Sequence, residues 1–102
     1  MTNPLLEGLR PTHPGEILRE DVLPALGRPK AEIARLLQIS RQTLYDILAE
    51  RQPVTPAMAL RLAKLTGVTP ESWVNMQRDY DLRIEAVKAA DLLGRIPKLD
   101  AA

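Results

Sequence analysis

The chain has 102 residues, of which 45% are hydrophobic and 26% are charged, with a formal net charge of +1. These values are typical of one folded domain and argue against intrinsic disorder, which requires low hydrophobicity and high net charge. One histidine and no cysteine exclude disulfide bonds, thiol catalysis and a conventional zinc site, so we expect no metal, no cofactor and no catalytic residues. The absence of a long apolar run or a signal-peptide pattern predicts a cytoplasmic protein without membrane contact.

Charge is unevenly distributed along the chain. Residues 28–64 carry seven basic and three acidic side chains, whereas residues 1–27 and 65–102 are each slightly acidic. A basic region between acidic flanks is typical of a local nucleic-acid contact. A solvent-facing surface on which charges happen to segregate would produce the same pattern, so charge alone leaves both interpretations open.

Proline and helix-capping residues divide the chain into five predicted helices and no strand. The first helix starts in the segment opened by Pro11 and Pro14, and we expect it to close at Pro24 and the turn that contains Gly27. A second short apolar stripe begins at Lys30 and has helical spacing.

Three N-cap signals mark the remaining predicted helices. Ser40 precedes the third helix, and Thr55 and Thr69, each followed by proline, open the fourth and the fifth. The predicted fold is therefore all-α, a compact bundle of about five helices. We expect a flexible N-terminal segment at 1–9, one domain at 10–94 and a frayed tail at 95–102.

Residues 30–49 have the pattern of a helix-turn-helix unit. Ala34 provides the small volume needed where two helices cross, and Leu44 and Ile47 are spaced to hold the second helix over the first. The second helix then presents a short polar face to solvent, which suits insertion into a DNA major groove. Gln38 occupies the turn position that usually carries a left-handed glycine, at a cost of about 1 kcal/mol.

The polar face of this second helix contains candidate DNA contacts. Arg41 can form two hydrogen bonds with guanine, Gln42 can form two with adenine, and Tyr45 can pack on a thymine methyl group or bond a phosphate. Ser40 lies on the same face and completes the predicted base-reading set. Flanking phosphate contacts are expected at Lys30, Arg51 and the helix start at Thr55.

Four stretches, in order, resemble the HigA-type antitoxins, which are helix-turn-helix proteins of bacterial toxin–antitoxin pairs related to phage repressors. They are RPTHPGEILRE (10–20), the helix-turn-helix at 30–49, VTPAMALRLAKLTG (54–67) and SWVNMQRDYDL (72–82). HPGEIL followed much later by W-x-x-x-Q-x-x-Y-D-L is specific to this class. Gln38 in place of glycine and Lys30 in place of glutamine depart from its pattern.

The resemblance implies a dimer that binds its own operator DNA and represses transcription. It also implies a partner, a small basic toxin that cuts messenger RNA. By position it assigns base reading to Arg41, Gln42 and Tyr45. It assigns phosphate or flanking contacts to Lys30, Thr43 and Arg51.

The resemblance does not provide a toxin-binding residue, so charge complementarity supplies that hypothesis. An RNA-cleaving toxin should be basic, and the acidic segment that contains Glu16, Glu20 and Asp21 is the complementary surface.

The last predicted helix carries an apolar stripe longer than a five-helix monomer needs to bury. Its residues are Trp73, Met76, Tyr80, Ile84 and Val87. We expect the stripe to form part of a twofold dimer interface, although Trp73 and Tyr80 could instead pack in the core.

Two other functions are compatible with the sequence. One is a solitary helix-turn-helix repressor that has no toxin partner. The other is a helical adaptor whose helix-turn-helix contacts protein. His13, which precedes Pro14 at a helix start, is expected to cap that helix because no activated nucleophile accompanies it.

Overall fold

The computed structural model describes residues 11–100, and every regular element in that range is helical. The elements are α1 (Pro14–Ile17), a π-helical segment (Leu18–Val22), α2 (Leu23–Leu26), α3 (Lys30–Leu37), α4 (Arg41–Leu48), α5 (Pro56–Thr66), α6 (Pro70–Lys88) and α7 (Ala90–Gly94). The predicted all-α fold is confirmed, and α7 is a short addition to the five expected helical regions. The expected flexible segment 1–9 lies outside the described residues.

The first helical region (residues 14–26, which comprise α1, the π-helical segment and α2) passes through Pro24, which the sequence predicted to help close it. The amide of Leu23 donates to the carbonyl of Leu18, five residues earlier, so a wide π turn lies directly before the proline. A wider turn relieves the crowding between a proline ring and the preceding turn, and Pro24 has no N–H to leave unpaired. The helix therefore continues to Gly27, whose left-handed φ of 64° ends it as predicted.

Side-chain caps start four of the helical regions where the sequence predicted them. The Nδ1 atom of His13 accepts a hydrogen bond from the amide of Gly15 at 2.9 Å. The hydroxyls of Ser40, Thr55 and Thr69 accept from backbone amides three residues further on, at 3.0, 3.2 and 3.1 Å. Each bond satisfies an amide that has no partner inside its helix.

The core lies beneath the helix-turn-helix and extends to the first helical region and to the start of α6. Ala34 is buried in α3, and Leu44 and Ile47 are buried in α4, as the spacing predicted. The other buried hydrophobic residues are Leu18, Leu23, Ile33, Leu37, Leu48, Val54, Met58, Ala59, Leu62 and Trp73. This cluster holds the polar face of α4 outward.

The C-terminal part of the molecule projects from the core. Trp73 and Gln77 are the buried residues of α6, and α7 has none. The dimensions of 53 × 31 × 23 Å reflect an elongated shape. Large apolar side chains remain exposed along this part: Leu82, Val87, Leu92, Leu93, Ile96 and Leu99.

Candidate nucleic-acid interface

The helix α4 presents its polar residues to solvent on the side opposite the core. Arg41 and Gln42 are exposed in its first turn, and Tyr45 is 45% exposed one turn later. Leu44, Ile47 and Leu48 lie on the opposite, buried face. The structure therefore places the side chains of Arg41, Gln42 and Tyr45 together on one accessible surface. This surface is called the α4 face.

Ser40 differs from these side chains because its hydroxyl is occupied within the helix. Its Oγ atom accepts from the amide of Thr43 at 3.0 Å and lies 2.9 Å from the Oγ1 atom of Thr43, to which it donates. The side chain of Ser40 therefore caps the start of α4, and its contact with a base stays a prediction.

The turn before α4 adopts the strained conformation that its position predicts. Gln38 has φ 59° and ψ 44°, in the left-handed region. Arg61 of α5 stabilises this turn, because its Nη1 atom donates to the carbonyls of Leu37 at 2.8 Å and Gln38 at 3.3 Å. Sequence reasoning missed this role of Arg61, since its partner carbonyls are more than 20 residues away along the chain.

Asp46 connects two of the predicted DNA-contacting residues. Its Oδ1 atom accepts from Nε2 of Gln42 at 2.8 Å and from Nη2 of Arg51 at 3.0 Å. Both bonds lower the pKa of Asp46, and the bond from Arg51 has the larger effect. The spacing of four residues between Gln42 and Asp46 is a sequence signal that could have predicted the bond between them.

The basic residues expected at phosphates lie beside the α4 face. Lys30 at the start of α3 and Arg51 after α4 line one shallow groove together with Tyr45. Thr55 caps α5 through its oxygen and is exposed. The groove could accept the sugar–phosphate backbone on the flank of a bound major groove.

Arg19 joins the first helical region to the end of α4. Its Nη1 atom donates to the carbonyl of Leu48 at 2.6 Å and lies 3.4 Å from Oε2 of Glu50. Its Nε atom donates to Glu20 at 2.9 Å, and this hydrogen bond is the main cause that raises the pKa of Arg19. An arginine at this position satisfies a helix carbonyl that lacks a partner within α4.

The predicted toxin-binding acids lie on the first helical region. Glu20 and Asp21 are exposed, whereas Glu16 is half-buried. Glu20 is already paired with Arg19, so a basic partner would compete with that ion pair.

The structure corrects the predicted dimer stripe at its first residue. Trp73 is completely buried inside the monomer and cannot contact a second copy. Met76, Tyr80 and Ile84 are half-buried, and Val87 is 79% exposed. The accessible part of the stripe therefore begins at Met76.

The sequence signature that suggested the antitoxin class holds α6 against the rest of the domain. The ring of Tyr80 packs edge-on against that of His13, with centroids 4.8 Å apart. Gln77 accepts from the amide of Val54 at 2.8 Å and donates to Asp81 at 2.9 Å. Both halves of the signature thus meet in space and serve the architecture.

Gly15 is required by a close approach between α1 and α4. A Cβ atom at this position would overlap the backbone carbonyl oxygen of Ile47. The HPGE stretch therefore combines a helix cap at His13 with the space that α4 needs.

Within residues 11–100, no cluster of histidine, cysteine, aspartate and glutamate is suited to a metal ion. No helix in that range is both long and apolar enough to cross a membrane.

Comparison with known proteins identifies relatives of this fold. A helix-turn-helix family model matches residues 18–73. The structure of the antitoxin GraA in complex with its operator is 40% identical and covers 99% of each chain, with a TM-score of 0.84.

Two further relatives extend this comparison. The structure of Pseudomonas aeruginosa antitoxin HigA with the higBA promoter is 33% identical over 89% of this chain and 100% of that one, with a TM-score of 0.84. An uncharacterized HTH-type transcriptional regulator of Escherichia coli K12, YbaQ, is 35% identical over 85% of this chain and 79% of its own. The chain belongs to the helix-turn-helix family, and its structural neighbours there are antitoxins of the HigA and GraA type.

Proposed function

We propose that this protein is an antitoxin that binds its own operator as a homodimer and neutralises a small basic toxin that cleaves messenger RNA. The observation that carries the proposal is the likeness to GraA in complex with its operator, which extends over 99% of both chains. A protein with these partners would act in the bacterial cytoplasm.

In the proposed complex, the α4 face enters the major groove. Arg41, Gln42 and Tyr45 read base edges, since all three side chains are exposed on the same surface. The phosphate contacts are Lys30, Thr43, Arg51 and Thr55.

Operator binding is tested with the double substitution Arg41→Ala and Gln42→Ala. Each lost bidentate contact should weaken operator binding by about 1–3 kcal/mol, with little change on unrelated DNA of equal length. Arg78→Ala is the matched control, because Arg78 is an exposed arginine of α6 outside the helix-turn-helix. If the unmodified protein bound no DNA from its own promoter region, the alternative function, an adaptor whose helix-turn-helix contacts protein, would be favoured.

The dimer is proposed to form through the C-terminal part of the molecule. Met76, Tyr80 and Ile84 begin this surface, and the exposed apolar residues from Leu82 to Leu99 continue it. A second copy is the partner that an operator with two half-sites requires, and those half-sites should lie about 34 Å or a multiple apart.

The toxin is proposed to bind the acidic surface of the first helical region. The substitutions Glu20→Lys and Asp21→Lys should weaken toxin capture and retain operator binding, because both exposed acids lie outside the helix-turn-helix. Glu71→Lys with Asp79→Lys reverses two exposed acids of α6 and serves as the control. Toxin capture that is equal in both variants would exclude Glu20 and Asp21 as toxin contacts, and Glu16→Lys tests the third predicted acid separately.

The partner itself is identified by purifying a tagged copy from the native host. A single small basic protein present in stoichiometric amount would support the antitoxin function. Recovery of the chain alone, from cells that express it normally, would favour a solitary repressor. The likeness to the HTH-type transcriptional regulator YbaQ is compatible with that function.

A further inference from the structure

Asp46 is an acidic residue on a surface proposed to contact DNA, where a negative charge opposes binding. Its carboxylate is oriented toward the two neighbouring donors, and its side chain is 28% exposed. One oxygen, Oδ1, accepts both hydrogen bonds, from Gln42 at 2.8 Å and from Arg51 at 3.0 Å. The acid therefore organises two candidate DNA contacts at once.

The bond to Gln42 leaves the amide able to read a base. A glutamine amide has two N–H groups and one carbonyl oxygen, and Asp46 uses only one N–H. The second N–H and the oxygen are the donor and acceptor that pair with N7 and the N6 amino group of adenine. Because the amide is held before DNA arrives, less rotamer freedom is lost on binding.

The bond to Arg51 restrains the second group. The Arg51 side chain is 65% exposed and would otherwise be a mobile positive charge beside the groove lined by Lys30 and Tyr45. Its pairing with Asp46 offsets part of that charge, which lowers the attraction for any phosphate regardless of sequence. The same two hydrogen bonds lower the pKa of Asp46, because they stabilise its charged form.

We propose that Asp46 is a positioning residue for operator recognition, which aims the Gln42 amide at one A·T base pair and reduces the attraction of Arg51 for DNA phosphates of any sequence. This inference rests on the proposed operator binding. It predicts that Asp46 lowers the affinity for unrelated DNA and raises the discrimination between the operator and its A·T-to-G·C variant.

The test compares three binding constants for each variant, measured at one salt concentration. The DNA fragments are the mapped operator, the same operator with single A·T pairs exchanged for G·C, and unrelated DNA of equal length. Asp46→Ala should bind unrelated DNA several-fold more tightly and lose about tenfold in discrimination at one A·T pair, within the range for one bidentate contact.

Two further variants separate positioning from charge. Asp46→Asn keeps an oxygen acceptor at the same place, so it should retain discrimination while its affinity for unrelated DNA rises. Asp79→Ala removes an arginine-paired aspartate of α6, outside the helix-turn-helix, and should leave the discrimination ratio unchanged.

The double variant Gln42→Ala with Asp46→Ala shows whether Asp46 acts through Gln42. If it does, discrimination at the A·T pair falls no further than in Gln42→Ala alone. Unchanged discrimination in Asp46→Ala, or additive losses in the double variant, would overturn the inference while operator binding stands. Failure of the unmodified protein to bind any operator would instead refute the proposed function, and this inference with it.

Discussion

At the scale of single residues, Gly15 shows how one missing side chain permits a helix contact. We expect Gly15→Ala to destabilise the protein by about 1–3 kcal/mol, because the added Cβ would overlap the backbone carbonyl of Ile47, which cannot rotate away. The free energy of unfolding in urea measures the effect. Gly94→Ala is the control, since nothing lies near a Cβ at that position in α7; equal effects of the two substitutions would contradict this account.

Gln38 gives the opposite case, a side chain where glycine would suit the backbone. Its φ of 59° is strained for a residue with a Cβ atom. We expect Gln38→Gly to raise the free energy of unfolding by about 0.5–1 kcal/mol, after subtraction of the greater freedom that glycine gives the unfolded chain. Gln38→Ala keeps the strain and should bring no gain. A stabilised alanine variant would show that the glutamine side chain, and not the backbone, is unfavourable.

At the scale of elements, the contact between α6 and the segment before α5 depends on Gln77. Its side chain is almost fully buried and accepts from the amide of Val54 at 2.8 Å. We expect Gln77→Leu to cost about 1–3 kcal/mol, because the buried amide of Val54 would lose its partner.

Thermal or urea unfolding tests the Gln77 prediction, with Asn75→Leu as the matched control. Asn75 is an exposed amide of the same helix, and its substitution should have little effect on the free energy of unfolding. A Gln77→Leu variant as stable as the original protein would mean that water or a shifted backbone satisfies the Val54 amide.

At the scale of the whole molecule, the exposed apolar C-terminal part should control assembly. Val87 and Leu93 are 79% and 51% exposed, so Val87→Asp with Leu93→Asp should preserve the folded monomer. We expect this variant to be monomeric by light scattering and to lose at least about tenfold in operator affinity, since linked half-site binding is lost. Leu60→Asp, at a leucine 60% exposed on α5, is the control. A dimeric double variant would place the interface elsewhere.

Much of the local architecture was readable from the sequence because its determinants are short in range. The caps at Ser40, Thr55 and Thr69 and the left-handed turn at Gln38 involve residues only a few positions apart. The outward orientation of the α4 face followed from helical periodicity.

Other features depend on groups that are distant along the chain, and only the tertiary structure decided them. The passage of the first helical region through Pro24 depends on a π turn, which no residue pattern announced. Arg61 stabilises the turn at Gln38, and Trp73 is completely buried, so it belongs to the core and not to a dimer surface. Burial and long-range hydrogen bonds depend on which elements meet in space, whereas spacing along the chain determines caps, turns and helix faces.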